Sequence, residues 1–392
     1  MGLAAVASVL ASCSVFAQPQ PAPVHASSLA PPGSVGYVVC SHAVTPVELA
    51  TRTAEADIPL PLSGTPALGD FAIATSADGR WAYVVTSNGV VSGSTSSVSS
   101  HLPVTTGAAT STTVPTIPPA GVGVQNVVIP IDLVAQRAQP PIPIPGQGGT
   151  HAIVVLPGGR TVLASSGSTI VPVDAVTHRV GRPLDLGPGH TIFGMALDQK
   201  TTTLYALVAG GVFPVNTANA TAGLEIPTGL GVSSVYSPHG IAVTQDGATI
   251  FVVGQGGTDF GGRVLPIAAS SGASLPAAGF DRFGISDPAA LVVSNDGSSL
   301  LVVDSANNWV NPVPLATFSD PPAPVRLPQG AAAASTSGTQ HPTDIVLGPG
   351  GTGAFIVDGF NAVRPYQPGS QTFGRAIPVC SGAASMAVAP AP

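Results

Sequence analysis

Six residues carry most of the chemistry this chain could perform: Asp70, His151, His239, Asp287, His341 and Asp344. Histidine titrates near neutral pH, shuttles protons and ligates metals, while a carboxylate can serve as base or hard ligand. Each stands just before a short apolar run, as in His151-Ala152-Ile153-Val154-Val155 and His239-Gly240-Ile241-Ala242-Val243, with His190 slightly earlier in its own unit. Gathered round one opening they would form a polar mouth that binds a ligand or orients a substrate. The structural alternative, which we favour, is that they hydrogen-bond neighbouring backbone and tie successive units together. No HExxH and no closely spaced Cys/His cluster occurs, so neither a metal nor a cofactor is expected.

Nucleophilic catalysis finds no support. Gly-x-Ser-x-Gly is absent from any strand-to-helix elbow, and phosphate-binding Gly loops need a helix N-terminus that the pattern does not supply. No catalytic residue is therefore assigned. Asp304, Asn307, Asn308 and Trp309, with Asp358 and Asn361, fall in loops between strands. They could contact carbohydrate or peptide, but exposed turn chemistry is the expected role.

The elements that must hold these residues follow from composition and repetition. The chain has 392 residues with 47 Gly, 41 Pro and only 8% charged residues, yet 44% are hydrophobic. Disorder goes with low hydrophobicity and high charge, so the Gly and Pro here must punctuate many short apolar strands. Net charge is −7, with a single lysine, Lys200, and no basic run, which excludes the Lys/Arg phosphate neutralisation of nucleic-acid binders. No apolar run reaches the ~18 residues of a membrane span.

One motif recurs: apolar, any residue, Pro, Val or Ile, then often an acid or amide. Its seven copies centre on Pro46, Pro130, Pro172, Pro214, Pro266, Pro312 and Pro365. Proline removes a ladder donor, so these strands should lie toward a sheet's outside. Ahead of most copies stand two apolar runs joined by Asp-Gly or Gly-Gly, as in Phe71-Ala72-Ile73-Ala74, Asp78-Gly79 and Trp81-Ala82-Tyr83-Val84-Val85, which is a hairpin signal. Strand, turn, strand, loop, Pro-strand and closing strand at a ~40–45-residue period describe a propeller blade. A β-sandwich gives no reason for seven near-equal units.

The fold class is therefore all-β, a seven-bladed propeller of four-stranded blades over residues 35–392. Val90 to Val124 form a Ser/Thr/Gly/Pro-rich insertion loop in blade 2. Gly36-Tyr37-Val38-Val39 lacks a preceding inner strand, while Ala384-Ser385-Met386-Ala387-Val388-Ala389 is an inner strand with nothing after it; paired, the N-terminal and C-terminal strands would complete one blade. That register places Cys40 at the end of a second strand and Cys380 on the lead-in to the same blade's inner strand, so a disulfide is expected.

Residues 1–17 resemble a secretory signal. Leu10-Ala11-Ser12-Cys13 is a lipobox-like site that would make Cys13 the lipidated N-terminus, whereas Val15-Phe16-Ala17 suits cleavage after Ala17. Residues 18–34 form a Pro/Ala/Ser-rich tether.

Tyr37-Val38-Val39-Cys40 and Tyr83-Val84-Val85-Thr86, each feeding a Pro-Val-Asp-like strand, resemble the YVTN-type β-propeller repeats of bacterial exported proteins. The resemblance spans about residues 35–392 and implies fold and export rather than activity, since such proteins have several roles. The expected function is a non-catalytic binding or scaffold propeller, secreted or lipid-anchored in the cell envelope. It would act as a monomer on a protein, glycan or small-molecule ligand. The alternative is a lactonase-like or metal-assisted hydrolase using the His/Asp mouth.

Overall fold

The computed structural model describes residues 33–62, 71–88, 125–146, 148–231, 240–256, 261–275, 285–315, 323–328, 341–351 and 353–389. These residues form seven antiparallel sheets and contain no helix. Asp70, His239, Cys13, the signal and nearly all of the tether, and the 90–124 insertion lie outside the described residues.

Blades 2 to 7 each run outward from an inner strand, as Phe71–Thr75, Trp81–Asn88, Gln125–Asp132 and then Arg137–Ala138 in blade 2. Blade 1 draws on both ends of the described chain. Its inner strand, Ser385–Ala389, lies antiparallel to Val35–Val39, with Val39 opposite Ser385 and Val35 opposite Ala389. Inner strands of adjacent blades contact one another all the way round, from blade 1 to blade 7 and back to blade 1.

Strand periodicity explains why the sheets stack. Successive side chains of a strand point to opposite faces, so a strand covered on both sides must be apolar throughout. In the second strand of blade 1, Tyr37 and Val39 enter the cluster shared with blade 2, while Val38 and Cys40 enter the one shared with blade 7. Equivalent clusters fill the other five seams. Fully burying a Val or Leu contributes roughly 1.5–3 kcal/mol, so a charge at Val38, which is fully buried, would open the seam where the two chain ends meet.

The repeated proline sits in the third strand with its carbonyl turned outward. Pro46, Pro130, Pro172, Pro214, Pro266 and Pro365 each accept an N–H from the fourth strand at 2.7–2.9 Å. A strand residue presents N–H and C=O to the same side, so the donor proline lacks is missing on that outer side. The fourth strand accordingly breaks beside it. In blade 1 it is Thr53–Ala54 and then Ile58–Pro59, and in blade 7 Thr372–Phe373 and then Ile377–Pro378.

The acid or amide after the proline shapes the next turn. Asp174 Oδ1 accepts N–H bonds from Val176 and Thr177 at 3.0 and 2.7 Å, and Asp132 and Asn216 do the same in their blades. The last turn residue then takes a left-handed conformation at Gln136, His178 and Ala220. These repeated acids are Asx-turn formers.

Candidate functional site

Connections between blades and the second-to-third-strand hairpins emerge on one face of the ring. The four sequence-nominated mouth residues that are described all lie there, but spread over three seams, with Asp287 and His341 sharing one corner.

His151 precedes the inner strand Ile153–Val155 of blade 3. Its backbone N–H and that of Ala152 both bond Ser165 Oγ, at 3.0 and 2.9 Å. The half-buried imidazole stacks on Phe193, from the inner strand of blade 4, with ring centroids 5.6 Å apart and planes at 25°. His151 thus spans the seam between blades 3 and 4.

Asp344 opens the inner strand of blade 7 and reaches across to blade 1. Its Oδ2 accepts from Ser385 Oγ at 2.8 Å and from Met386 N at 3.0 Å, while Oδ1 accepts from Ile345 N at 2.8 Å. Burial raises its pKa against the opposing pull of those three donors. This carboxylate is a tie between blades.

His341 is exposed, with Nδ1 2.9 Å from the Ser305 carbonyl, and Ser305 Oγ donates to the Pro342 carbonyl at 2.6 Å. The lead-in to blade 7 is so clasped to a loop of blade 6. Asp287 belongs to the same corner. Its pKa is raised by burial and by the nearby Asp304 carboxylate, against a lowering influence from His341. Asp287 Oδ1 is buried without a hydrogen-bond partner.

Asp304 is the organising residue of this corner. Fully buried, it accepts N–H bonds from Ser286 at 2.9 Å, Asp287 at 3.1 Å and Asn307 at 3.2 Å, and the Asn307 amide at 2.7 Å. Asp358 holds the equivalent place in blade 7, where Oδ1 receives Phe360, Asn361 and Ala362 N–H groups at 2.9–3.1 Å. Exposed turn chemistry was the sequence expectation for both. The turn chemistry is present, but the two acids are buried at 0% and 1% exposure and Asn308 at 7%. Val-Val-Asp and Ile-Val-Asp place the acid at the end of a strand covered on both faces, which is the signal for burial. Sequence reading missed Arg364, only 5% exposed, whose Nε lies 3.9 Å from Asp358 Oδ2.

His190 makes a further seam contact rather than joining the mouth. Its Nδ1 lies 2.9 Å from the Leu186 carbonyl, its ring meets Phe213 edge-on at 5.1 Å, and Nε2 is 3.8 Å from Glu225 Oε2. Among the described residues, no three His, Cys, Asp or Glu side chains converge as a metal set.

Cys40 and Cys380 form a disulfide with Cα atoms 5.9 Å apart across 340 residues of sequence. Cys380 N also donates to Thr45 Oγ1 at 3.1 Å, so the lead-in to the blade 1 inner strand is held by a covalent bond and a hydrogen bond.

No family model matches the chain. No curated protein matches it either. Solved structures do. A functionally unknown protein from Desulfotomaculum acetoxidans DSM 771 superposes with a TM-score of 0.57 at 13% identity, covering 91% of this chain and 98% of that one. Kuenenia stuttgartiensis hydrazine synthase gives a TM-score of 0.59 at 13% identity, covering 87% and 90%. At such identity the likeness is one of fold, and the chain is a seven-bladed β-propeller.

Proposed function

We propose that the chain is a non-catalytic binding or scaffold ring of the YVTN-repeat kind. It acts outside the cytoplasm, as a secreted or Cys13-anchored monomer, and presents the mouth face to a protein, glycan or small molecule. The observation that carries this reading is the Asp344 carboxylate, whose oxygens are engaged by Ser385, Met386 and Ile345 and so serve the ring rather than a reaction. The buried Cys40–Cys380 bond supports an oxidising compartment, and the Tyr37-Val38-Val39 and Tyr83-Val84-Val85 runs support the repeat kinship. Capture from the native cell envelope tests it: the wild type should retain a partner that variants in the mouth loops lose. Stoichiometric metal in the purified protein, lost in His151→Ala and His239→Ala, would overturn the reading.

A second reading, a lactonase-like hydrolase, is favoured by one feature. Asp287 combines a raised pKa, an unpartnered Oδ1 and a neighbouring imidazole, His341, as a general acid or base requires. A panel of lactones and esters separates the two readings. Turnover abolished by Asp287→Asn would establish the enzyme, and its absence from the wild type leaves the binding ring.

A further inference from the structure

We propose that the seam between blades 2 and 3, on the face opposite the mouth, binds a neutral saccharide ring. The turns joining first to second and third to fourth strands emerge there, and between these blades they enclose a groove of about 530 Å³. That volume falls within the ~300–1,000 Å³ of small-molecule sites.

An aromatic platform distinguishes this seam. Where blades 3, 4, 5 and 6 begin their second strand with Thr161, Thr203, Thr249 or Ser299, blade 2 places Trp81, which lines the groove. His178 of blade 3 packs against the indole at 83°, with centroids 6.0 Å apart, and steadies it from one side. An indole face suits the apolar C–H face of a pyranose, an arrangement that needs no charge on the ligand.

The polar groups are balanced in sign. Arg80 and Arg160 line the groove and are both exposed. Arg80 lies near Asp78 and Arg160 near Asp174, adding to the Ser76 and Thr177 hydrogen bonds that already keep these carboxylates ionised. Each cation thus stands near a carboxylate, Asp174 lying beside the groove rather than in its lining, and such paired donors and acceptors suit a polyol better than an anion. At the floor, the Tyr83 hydroxyl is buried without a protein partner, although Tyr83 lines the groove.

The rim has been left bare. Gly158 and Gly159 take φ of +89° and +69°, and a Cβ at either would meet nothing within 4 Å. At the corresponding turns of two other seams the space is filled, since a Cβ at Gly247 would come within 2.8 Å of Asp198 and one at Gly351 within 2.2 Å of Asn295, each from the preceding blade, whereas Gly297 of blade 6 is open like Gly159. Blade 2 offers only Ala77 there.

This inference stands apart from the mouth face and survives if no partner is found there. The test is an array of neutral, sulfated and sialylated oligosaccharides probed with the full chain, followed by titration monitored through tryptophan fluorescence. We expect binding to a subset of neutral glycans, weakened at least tenfold in Trp81→Ala and in the surface variant Arg80→Ala/Arg160→Ala, and unchanged in Trp309→Phe. The double arginine variant guards against misfolding, because both side chains are exposed. Recognition confined to sulfated or sialylated glycans, no glycan binding at all, or wild-type affinity in the double arginine variant would each overturn the proposal.

Discussion

Cys40 and Asp304 occupy the same position in their blades, the end of the second strand, and each fastens the lead-in to its own blade's inner strand. Cys40 does so through the bond to Cys380, Asp304 through the backbone N–H groups of Ser286 and Asp287. One structural task is thus met covalently in blade 1 and by a carboxylate in blade 6.

Removing the covalent version should destabilise the ring without changing its fold. Chain-entropy arithmetic gives roughly 5–6 kcal/mol for so long a loop, but measured bridges more often contribute about 2–4 kcal/mol. A Cys40→Ser/Cys380→Ser variant should unfold at lower denaturant by about that amount, and reductant should move the wild type toward it. Coincident curves with and without reductant would refute a stabilising bond.

Removing the carboxylate version takes away the shared acceptor of four hydrogen bonds. Asp304→Ala should cost about 3 kcal/mol or more, because hydrogen bonds to charged groups contribute roughly 1.5–3 kcal/mol each and orphaned buried donors add a penalty. Denaturant titration should show the loss, and amide exchange should localise it at Ser286 and Asp287. Uniform protection there would argue against the clasp.

Asp344 sets one pH dependence. Its folded pKa lies above the unfolded value of about 3.9, so the folded state binds the proton more readily. Its contribution is therefore most favourable below the unfolded pKa and diminishes as pH rises through the folded one. The stability difference between wild type and Asp344→Asn should shift against the wild type from pH 4 toward neutrality. A difference that does not vary with pH would show that Asp344 is not perturbed.

The turn acids act in the opposite sense. Asp296 is held at about 2, chiefly by the Ser294 hydroxyl and then by Ser298, and Asp78 and Asp246 are also depressed. Their contribution is present above the unfolded carboxylate range and is lost as pH falls toward 2. Acid titration of Asp296→Asn should show a shallower loss between pH 4 and 2 than the wild type.

Overpacking tests the seam between blades 5 and 6. A Cβ on Gly262 would lie 2.6 Å from Ile285 Cγ2 and 2.8 Å from Pro288 Cδ. Gly262→Ala should cost about 1–3 kcal/mol, read by thermal unfolding. Full stability would mean that the seam yields.

Blades were legible because proline, Asp-Gly turns and unbroken apolar strands report backbone demands within a few residues. The Cys40–Cys380 pairing was legible for the same reason, since register alone brought the two together. The mouth was less so. Nothing local distinguishes Asp344, which reaches Ser385 in the neighbouring blade, from Asp287, whose Oδ1 has no partner; that depends on cross-seam distances. Arg364 stands at the unconstrained position of the Pro motif, and only stacking of blades buries it. Trp81 did leave a trace, as the one tryptophan at a position where four sister strands start with Thr or Ser.

The Cys40–Cys380 bond also alters how the molecule bears load. Tension applied at the two termini passes through the sulfur bridge and bypasses the intervening 340 residues. Pulled from both ends, the oxidised protein keeps the blades between its two cysteines out of the line of force, whereas the reduced protein can unravel blade by blade.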